Sequence, residues 1–443
     1  MTIAQLHATF IDSGSRLATD SRKIEGGEIF WALRGENFDG NDYALKALEA
    51  GASHAVVDRV IAGAENDPRI WVVDNSLTAL HQLACYHREH TLHAGKRIPV
   101  LALTGTNGKT TTKELIRAVL ETKYKLVATE GNLNNNIGVP LTLLRLTQES
   151  QMAVVEMGAS HPGDIRELVD IAHPDFGLIT NVGRAHLLGF GSFEGVKATK
   201  GELYDYLSET EGCGFVNTAS ADLVQMAGKR GGMKRVDYGV EVQKAKVLPC
   251  TAEHPFLRMD ILADGHLQRV NTQLVGSYNA DNVLAAFAVG AYFGISAEDA
   301  TAAIEAYTPS NKRSQMMQSA SNTLILDAYN ANPSSMEAAL TNFASVQAPR
   351  KGLMLGDMLE LGDESELEHR KVLDKVAQLK AELVILVGKE FAKAATEKEK
   401  TDWLFFETSE QAASYLHKHK VNSLTILVKG SRGTRMENLI PAL

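Results

Sequence analysis

One segment restricts the fold of this chain more than any other: PVLALTGTNGKTTTKELIRAVLETK, residues 99–123. The run PVLALTG is a continuous apolar strand, as a strand buried on both faces must be, and such strands belong to parallel sheets covered by helices. A glycine-bearing turn follows, then a sequence that reads as a helix. Gly105 and Gly108 let the backbone curl so that its N–H groups converge, and the start of the helix adds partial positive charge. Strand, glycine loop and helix in that order are the context in which a Gly-Lys-Thr sequence holds phosphate. In this reading Gly105, Thr106, Asn107, Gly108, Lys109, Thr110 and Thr111 cradle a nucleotide. Lys109 reaches its β- and γ-phosphates, and the Thr110 hydroxyl touches magnesium. The spacing departs from the strict G-x-x-x-x-G-K-[ST] pattern, because Leu103 stands where the first glycine would fall. The competing reading is a chance Gly-Lys-Thr in a loop; the flanking strand and helix favour the phosphate loop.

The alternation around this segment sets the fold class. MAVVEMG and FGLITNVG are two more apolar strands ending in polar residues, with helical stretches between. Residues 93–309 therefore read as a central α/β domain with an open, mostly parallel sheet. Residues 310–443 repeat the alternation with NTLILDAYN, GLMLGDM, ELVILVG and LTILVKGS, and helices such as SSMEAALTNFASV lie between. This predicts a second doubly wound, Rossmann-like domain, whose ligands sit outside the carboxyl ends of the strands. Residues 1–92 are a mixed α/β domain. GGEIFWAL is a turn and a strand, GENFDGND a turn cluster, ALKALEAGA a short helix stopping at Gly51, and HAVVD another strand. Three α/β domains in 443 residues match the usual domain size of about 150 residues.

Composition excludes several function classes. A net charge of −9, from 45 basic and 54 acidic residues, argues against a nucleic-acid binder, though not against a small polyanionic substrate. No apolar run reaches the roughly 18 residues of a membrane span. The first residues, MTIAQLHATF, do not read as a signal peptide. Cys85, Cys213 and Cys250 are too far apart for paired zinc ligands and odd in number, so inert thiols in a reducing cytoplasm are expected.

Polar residues at strand ends are the remaining candidates. Glu156 ends VVEMG and suits a hard cation, or is a solvated charge. Asn181 ends the next strand, with His186 shortly after it as a metal or substrate contact, or a structural histidine. Lys200 and Glu202 open a helix; an ammonium would repel a metal, so spacing alone makes Lys200 a surface lysine. Asp327 ends a strand and can bind ribose hydroxyls. Lys429, Ser431 and Arg432 form a possible anion contact. Asp357 and Glu360 in GDMLELG could hold an ammonium group. Each also reads as a solvated loop residue.

In order along the chain, GTNGKTTTKE, GNLNNNIGVP, VVEMG, TNVGRAHL, the lysine of ATKGEL, GSYNADNVLAA, DAYNANPSSM, GDMLELG and KGSR resemble the Mur ligases over nearly the whole length. DAYNANPSSM and GDMLELG are most similar to the branch that adds a terminal dipeptide. DSRKIEGGEIFWALRGENFDG resembles that branch's UDP-binding domain. The resemblance implies a cytoplasmic, monomeric, ATP- and magnesium-dependent enzyme of peptidoglycan precursor synthesis. Its substrates would be UDP-N-acetylmuramoyl-tripeptide and D-alanyl-D-alanine, joined through an acyl phosphate. It also implies the residue roles. Lys109 and its loop hold the phosphates. Thr110 and Glu156 bind one magnesium, and His186 helps bind a second. Lys200 matches the lysine that the family carbamylates with carbon dioxide, which turns its charge negative. Asn279 and Asn282 match residues near the adenine, and Arg313, Asp327 and Tyr329 match other nucleotide contacts. Ser21 and Arg22, with Asn132, Asn134, Asn135 and Asn136, would lie along the UDP-sugar. Asp357, Lys429 and Ser431 would lie near the dipeptide or acyl phosphate. Two positions depart from the pattern: Tyr278 replaces a common His, and Asn136 a longer Gln or Glu. A hinge motion of the C-terminal domain is expected, since the ATP contacts are divided between two domains.

Three alternatives compete. A sibling ligase that adds the third amino acid would carry Asp-Asn-Pro-Arg, absent here, and a folylpolyglutamate synthase would lack the UDP domain. A regulatory GTPase would show Asn-Lys-x-Asp, whereas NKRS at 311–314 ends in Ser314. A phosphotransferase would not need two further substrate-sized domains. A dead nucleotide-binding scaffold would not keep Lys109, Glu156, His186 and Lys200 together.

Overall fold

The computed structural model of the chain describes residues 2–251, 254–263, 265–309 and 315–443. They divide into two compact units. The first holds the chain up to Ala102 with Tyr124–Gly158 and Asp164–Phe176; the second holds Leu103–Lys123, Ala159–Gly163 and Gly177–Leu443.

In the first unit a parallel four-stranded sheet runs in the order Leu17–Ala18, Ile29–Trp31, His54–Val57, Ile70–Val72. Phe30, Ala55 and Val57 pack on Ala44, Ala47 and Leu48 of the short helix Ala44–Glu49. Wholly buried Trp31 donates its indole N–H to the Ser76 carbonyl at 2.7 Å. The turn cluster GENFDGND is a two-residue-per-strand hairpin, Arg34–Gly35 with Phe38–Asp39, followed by a 3-10 turn. Two helices escape the sequence reading. Ile3–Asp12 is closed by a Thr2–Gln5 capping box. Ser76–His90 looks polar because His87 and Arg88 belong to its buried face, beside Leu80, Leu83 and Ala84.

The central strands form one six-stranded sheet in the order Leu126–Ala128, Met152–Glu156, Val100–Thr104, Phe176–Ile179, Cys213–Asn217, Lys234–Tyr238. Val100–Thr104 is buried at every residue, as its apolar run predicts. An unforeseen antiparallel sheet, Lys246–Leu248, Arg258–Ala263 and His266–Asn271, belongs to the second unit.

The C-terminal sheet also has six strands, in the order Gln315–Gln318, Thr323–Asp327, Thr425–Lys429, Lys351–Gly356, Leu383–Val387, Leu404–Phe406. All pair in parallel except the first. Side-chain alternation along a strand gives it two cores. Ile325, Leu353, Leu355 and Leu427 pack on Met336, Phe343, Leu373 and Phe391 on one side. Leu324, Leu326, Met354 and Ile426 pack on Ala412, Leu416 and Leu439 on the other. This doubly wound layering brings Asp327 and Lys429 into register at the carboxyl ends of neighbouring strands.

One buried histidine gives a pH test. His87 has one ring nitrogen 2.9 Å from the Leu146 carbonyl and the other 3.0 Å from His7. Burial chiefly pushes its pKa down to about 4. The folded chain therefore binds fewer protons there than the unfolded chain. Stability is full above the unfolded value of about 6.5 and falls as pH drops towards 4. We expect His87 to account for a loss of about 2 kcal/mol between pH 7.5 and pH 5. Urea unfolding followed by tryptophan fluorescence checks this, with His87→Gln showing a correspondingly flatter pH dependence.

Candidate functional site

The loop after Val100–Thr104 is shaped by its neighbours in the second unit. Gly105 and Gly108 have φ of +145° and +77°, and the helix Lys109–Glu121 begins at once. A Cβ on Gly105 would stand 2.0 Å from Thr180 Oγ1, and one on Gly108 2.7 Å from Asn282 Oδ1. The segment Thr180–Gly183 braces the loop. Thr106 donates its amide to the Asn181 carbonyl at 3.0 Å. Asn107 donates its amide to Asn181 Oδ1 at 2.9 Å and accepts from Asn181 Nδ2 and Thr180 Oγ1 at its carbonyl, at 3.0 and 2.7 Å. The Thr106 and Asn107 amides are thus engaged inside the protein. Lys109 Nζ donates to the Gly105 and Thr106 carbonyls at 2.7 and 3.1 Å.

Asn282 clamps the other side. It accepts from Thr112 Oγ1 at 2.9 Å and donates to Asn279 Oδ1 at 2.8 Å, while Asn279 donates to the Val275 carbonyl at 2.9 Å. Both asparagines are buried, so the pair expected near an adenine ties the helix Ala280–Tyr292 to the phosphate-loop helix. Tyr278, which precedes the pair, is half-buried.

The C-terminal region reaches the loop through side chains that the sequence reading did not single out. Asn107 accepts from Asn332 Nδ2 at 2.9 Å and donates to Ser334 Oγ at 3.1 Å; Ser334 in turn donates to Asn332 at 3.1 Å. Asn332 is also the cap of the helix Pro333–Ser345. Asp327 and buried Lys429 form an ion pair at 2.5 Å, and Lys429 also donates to the Asn330 carbonyl at 3.2 Å. Ser431 donates to the Ala331 carbonyl at 3.2 Å and accepts the Leu359 amide at 2.9 Å. Arg432 lies over the Tyr329 ring, 5.7 Å from its centroid. Asp357 accepts the Glu390 and Phe391 amides at 2.9 Å each, bracing the start of Lys389–Ala394. Burial raises its pKa above the usual carboxylate range. The neighbouring Glu360 pairs with His186 Nδ1, and both residues have left-handed backbones. Burial lowers the His186 pKa; Glu360 opposes this, while the charges of Lys109 and Lys200 reinforce it. Lys109, His186, Lys200 and Glu360 are therefore electrostatic neighbours. Lys200 is 2% exposed on the helix Phe193–Glu209, its Nζ 5.5 Å from the Phe190 ring centroid. The surface-lysine reading is corrected: the first turns of that helix turn this position inward.

Candidates in the first unit have partners of their own. Glu156 is 1% exposed and accepts from Asn134 Nδ2 at 2.9 Å, and its amide donates to Thr129 Oγ1 at 2.9 Å. Asn135 Oδ1 accepts the Ile137 and Gly138 amides at 3.2 and 2.9 Å. The Asn136 carbonyl meets His81 at 2.6 Å, and Asn132 is exposed. Ser21 is half-exposed, and Arg22 makes two side-chain bonds to Asp20, at 2.9 and 2.8 Å. Those bonds hold the Asp20 carboxyl below the usual range. Arg313 and the NKRS sequence lie outside the described residues.

The residues fit the groups expected of them. The loop has the close backbone turns that any Cβ at Gly105 or Gly108 would fill, and a lysine and a helix start face it, as a polyphosphate requires. Among the described residues, no cluster of three His, Cys, Asp or Glu could hold a metal unaided. Magnesium at phosphate sites is typically held by one or two carboxylates together with substrate oxygens.

Known proteins agree in outline. Residues 15–88 match the description "Mur ligase family, catalytic domain", 103–290 "Mur ligase middle domain", and 312–432 "Mur ligase, glutamate ligase domain". The chain is 34% identical to the UDP-N-acetylmuramoyl-tripeptide–D-alanyl-D-alanine ligase of Bacillus subtilis, over 96% of this chain and 92% of that one. It is similar to a crystal structure of MurF from Acinetobacter baumannii, with a TM-score of 0.85 and 32% identity, over 96% and 92% of the two chains. MurF ligase from Thermotoga maritima, solved in complex with ADP, has a TM-score of 0.83 at 24% identity, over 96% of each chain, and shares the fold.

The glycine geometry gives a test. In Gly105→Ala the methyl group collides with Thr180 and the residue keeps a positive φ. ADP affinity by calorimetry should fall by roughly tenfold or more. Unaltered affinity would show that the loop does not hold phosphate in this shape.

Proposed function

The chain belongs to the Mur ligase family, and from that footing we propose how its residues carry the reaction. It is an ATP-dependent ligase that joins D-alanyl-D-alanine to UDP-N-acetylmuramoyl-tripeptide, releasing ADP and phosphate. The observation that carries this reading is similarity to dipeptide-adding ligases along nearly the entire chain. The γ-phosphoryl group passes to the terminal carboxylate of the tripeptide, giving an acyl phosphate. The dipeptide amine then attacks that carbonyl carbon, the C–N bond forms, and phosphate leaves. A bare carboxylate would have to expel oxide, so phosphorylation supplies the leaving group.

Lys109 and the loop Gly105–Thr111 bind the phosphates and hold them in line. Lys109 counters the charge that builds up in the phosphoryl-transfer transition state. Magnesium, when bound, neutralises phosphate charge and polarises the transferred group. We assign its protein contacts to Thr110 and His186, to Glu156, and to Lys200 as a carbamate. What supports the carbamate is the burial of Lys200, 2% exposed among the electrostatic neighbours of His186. The ammonium first loses a proton; addition of carbon dioxide to the neutral amine then forms an N–C bond and releases a second proton, so that a positive charge is replaced by a negative one.

Asp327, Tyr329 and Arg313 are read as nucleotide contacts, and Lys429 and Ser431 as contacts of the dipeptide or acyl phosphate. Asn279, Asn282 and Asp357 act as positioning residues in this reading, because their polar atoms already have interior partners. Ser21, Arg22 and Asn132, Asn134, Asn135 and Asn136 are assigned to the UDP-sugar. We read the chain as a cytoplasmic monomer in three parts, 1–92, 93–309 and 310–443.

Two measurements test this. Phosphate release from MgATP should require both UDP-N-acetylmuramoyl-tripeptide and D-alanyl-D-alanine, with one dipeptide joined per ATP. Release indifferent to the UDP-sugar would leave only a phosphate-loop ATPase. With ¹³C-labelled bicarbonate, the wild-type protein should show a carbamate carbon resonance that Lys200→Gln lacks; a spectrum identical in the two proteins would refute the carbamate.

A further inference from the structure

Cys85, Glu89 and His173 form a second cluster of reactive groups, lying wholly within the first unit and outside every residue assigned above. Cys85 and Glu89 are one turn apart on the helix Ser76–His90, so thiol and carboxylate share a face. His173 follows the helix Asp164–Ala172 with a left-handed backbone, φ +43°, and its amide closes that helix on the Val169 carbonyl at 2.9 Å. The turn brings its ring to both partners. Nδ1 lies 2.9 Å from Glu89 Oε1, and Cys85 Sγ lies 3.8 Å from Nε2 and 4.0 Å from Nδ1. A carboxylate beside the imidazole and an imidazole beside the sulfur are the ingredients that activate cysteine nucleophiles.

The surroundings keep the imidazole charged. The thiol contact and then Glu89 outweigh burial and push the His173 pKa up to about 9. Arg97 bonds Glu89 at 3.2 Å and Asp175 at 2.5 Å, and buried Arg88 bonds Asp175 at 2.9 Å. One turn earlier on the cysteine's helix, His81 lies 3.8 Å from Glu167. Cys85 is also reachable, being half-buried, whereas Cys213 is buried. Half-buried Cys250 has its Sγ 3.9 Å from the Phe256 carbonyl, and burial pushes its thiol up.

We propose that Cys85 is a modification site whose thiol, activated by His173 and Glu89, reacts with hydroperoxides. The thiol gives up its proton to water beside the charged imidazolium, and that proton later restores the one His173 donates. The thiolate attacks the nearer peroxide oxygen; the S–O bond forms and the O–O bond breaks. The leaving oxygen takes the proton from His173 and departs as an alcohol, or as water from hydrogen peroxide. Sulfur is oxidised to a sulfenic acid and the peroxide is reduced, with no further reactant.

Site-resolved mass spectrometry tests this with hydrogen peroxide and a sulfenic-acid trap at pH 7. The reference is the same cysteine in the urea-unfolded chain. A half-buried thiol with a purely structural neighbour must react more slowly than that reference. We expect folded Cys85 to react roughly tenfold or more faster than the reference. His173→Gln should remove the excess, and Glu89→Gln should reduce it. A folded rate at or below the unfolded one, or an excess that survives His173→Gln, would overturn the proposal.

Discussion

The second unit depends on one exchange of hydrogen bonds, between Asn107 in the glycine loop and Asn181 at the end of the next strand. An asparagine side chain carries a donor and an acceptor at the spacing of a peptide group, so it can pair with a backbone residue as a strand would. Asn181 uses both on Asn107, and its own carbonyl takes the Thr106 amide. The loop is thus stitched to the sheet beyond the point where the sheet ends. A loop with two left-handed glycines would otherwise sample many shapes. The same bonds leave the Asn107 side chain facing Asn332 and Ser334, so whatever fixes the loop also fixes where the C-terminal helix cap can dock.

The fold was legible where burial is two-sided. VLALT, LVILV and TILVK read as strands because no face of them meets water, and all are strands of parallel sheets. Legibility failed where polar residues are spent inside. Ser76–His90 hides its buried stripe behind His87 and Arg88, whose polar atoms have partners in other elements. The antiparallel strands around Arg258–Ala263 and His266–Asn271 are charged on their exposed faces and carry no long apolar run.

The candidate site divides in the same way. Lys109, Thr110 and Glu156 could be named because loop, helix start and strand end are local features. The engaged state of Asn282 and Asp357 could not, because each is decided by a partner remote in sequence, Thr112 for the one and the Glu390 and Phe391 amides for the other. Asn332 and Ser334 lay in plain view within DAYNANPSSM, but nothing local says that a helix cap will also grip a loop more than two hundred residues away. Glu360 was noted as a holder of ammonium; its observed partner is an imidazole, His186.

Lys109 has a consequence for selectivity. Its ammonium is already solvated by two carbonyl oxygens of its own loop, those of Gly105 and Thr106. A newcomer must compete with those dipoles, and an uncharged molecule has little with which to do so. A nucleoside gains almost nothing from this lysine, whereas each added phosphate tilts the contest further, because charge–charge attraction outweighs charge–dipole attraction at equal distance. Under the proposed role, the loop would work as a counter of negative charge, ranking adenosine far below its polyphosphates before the base is read at all.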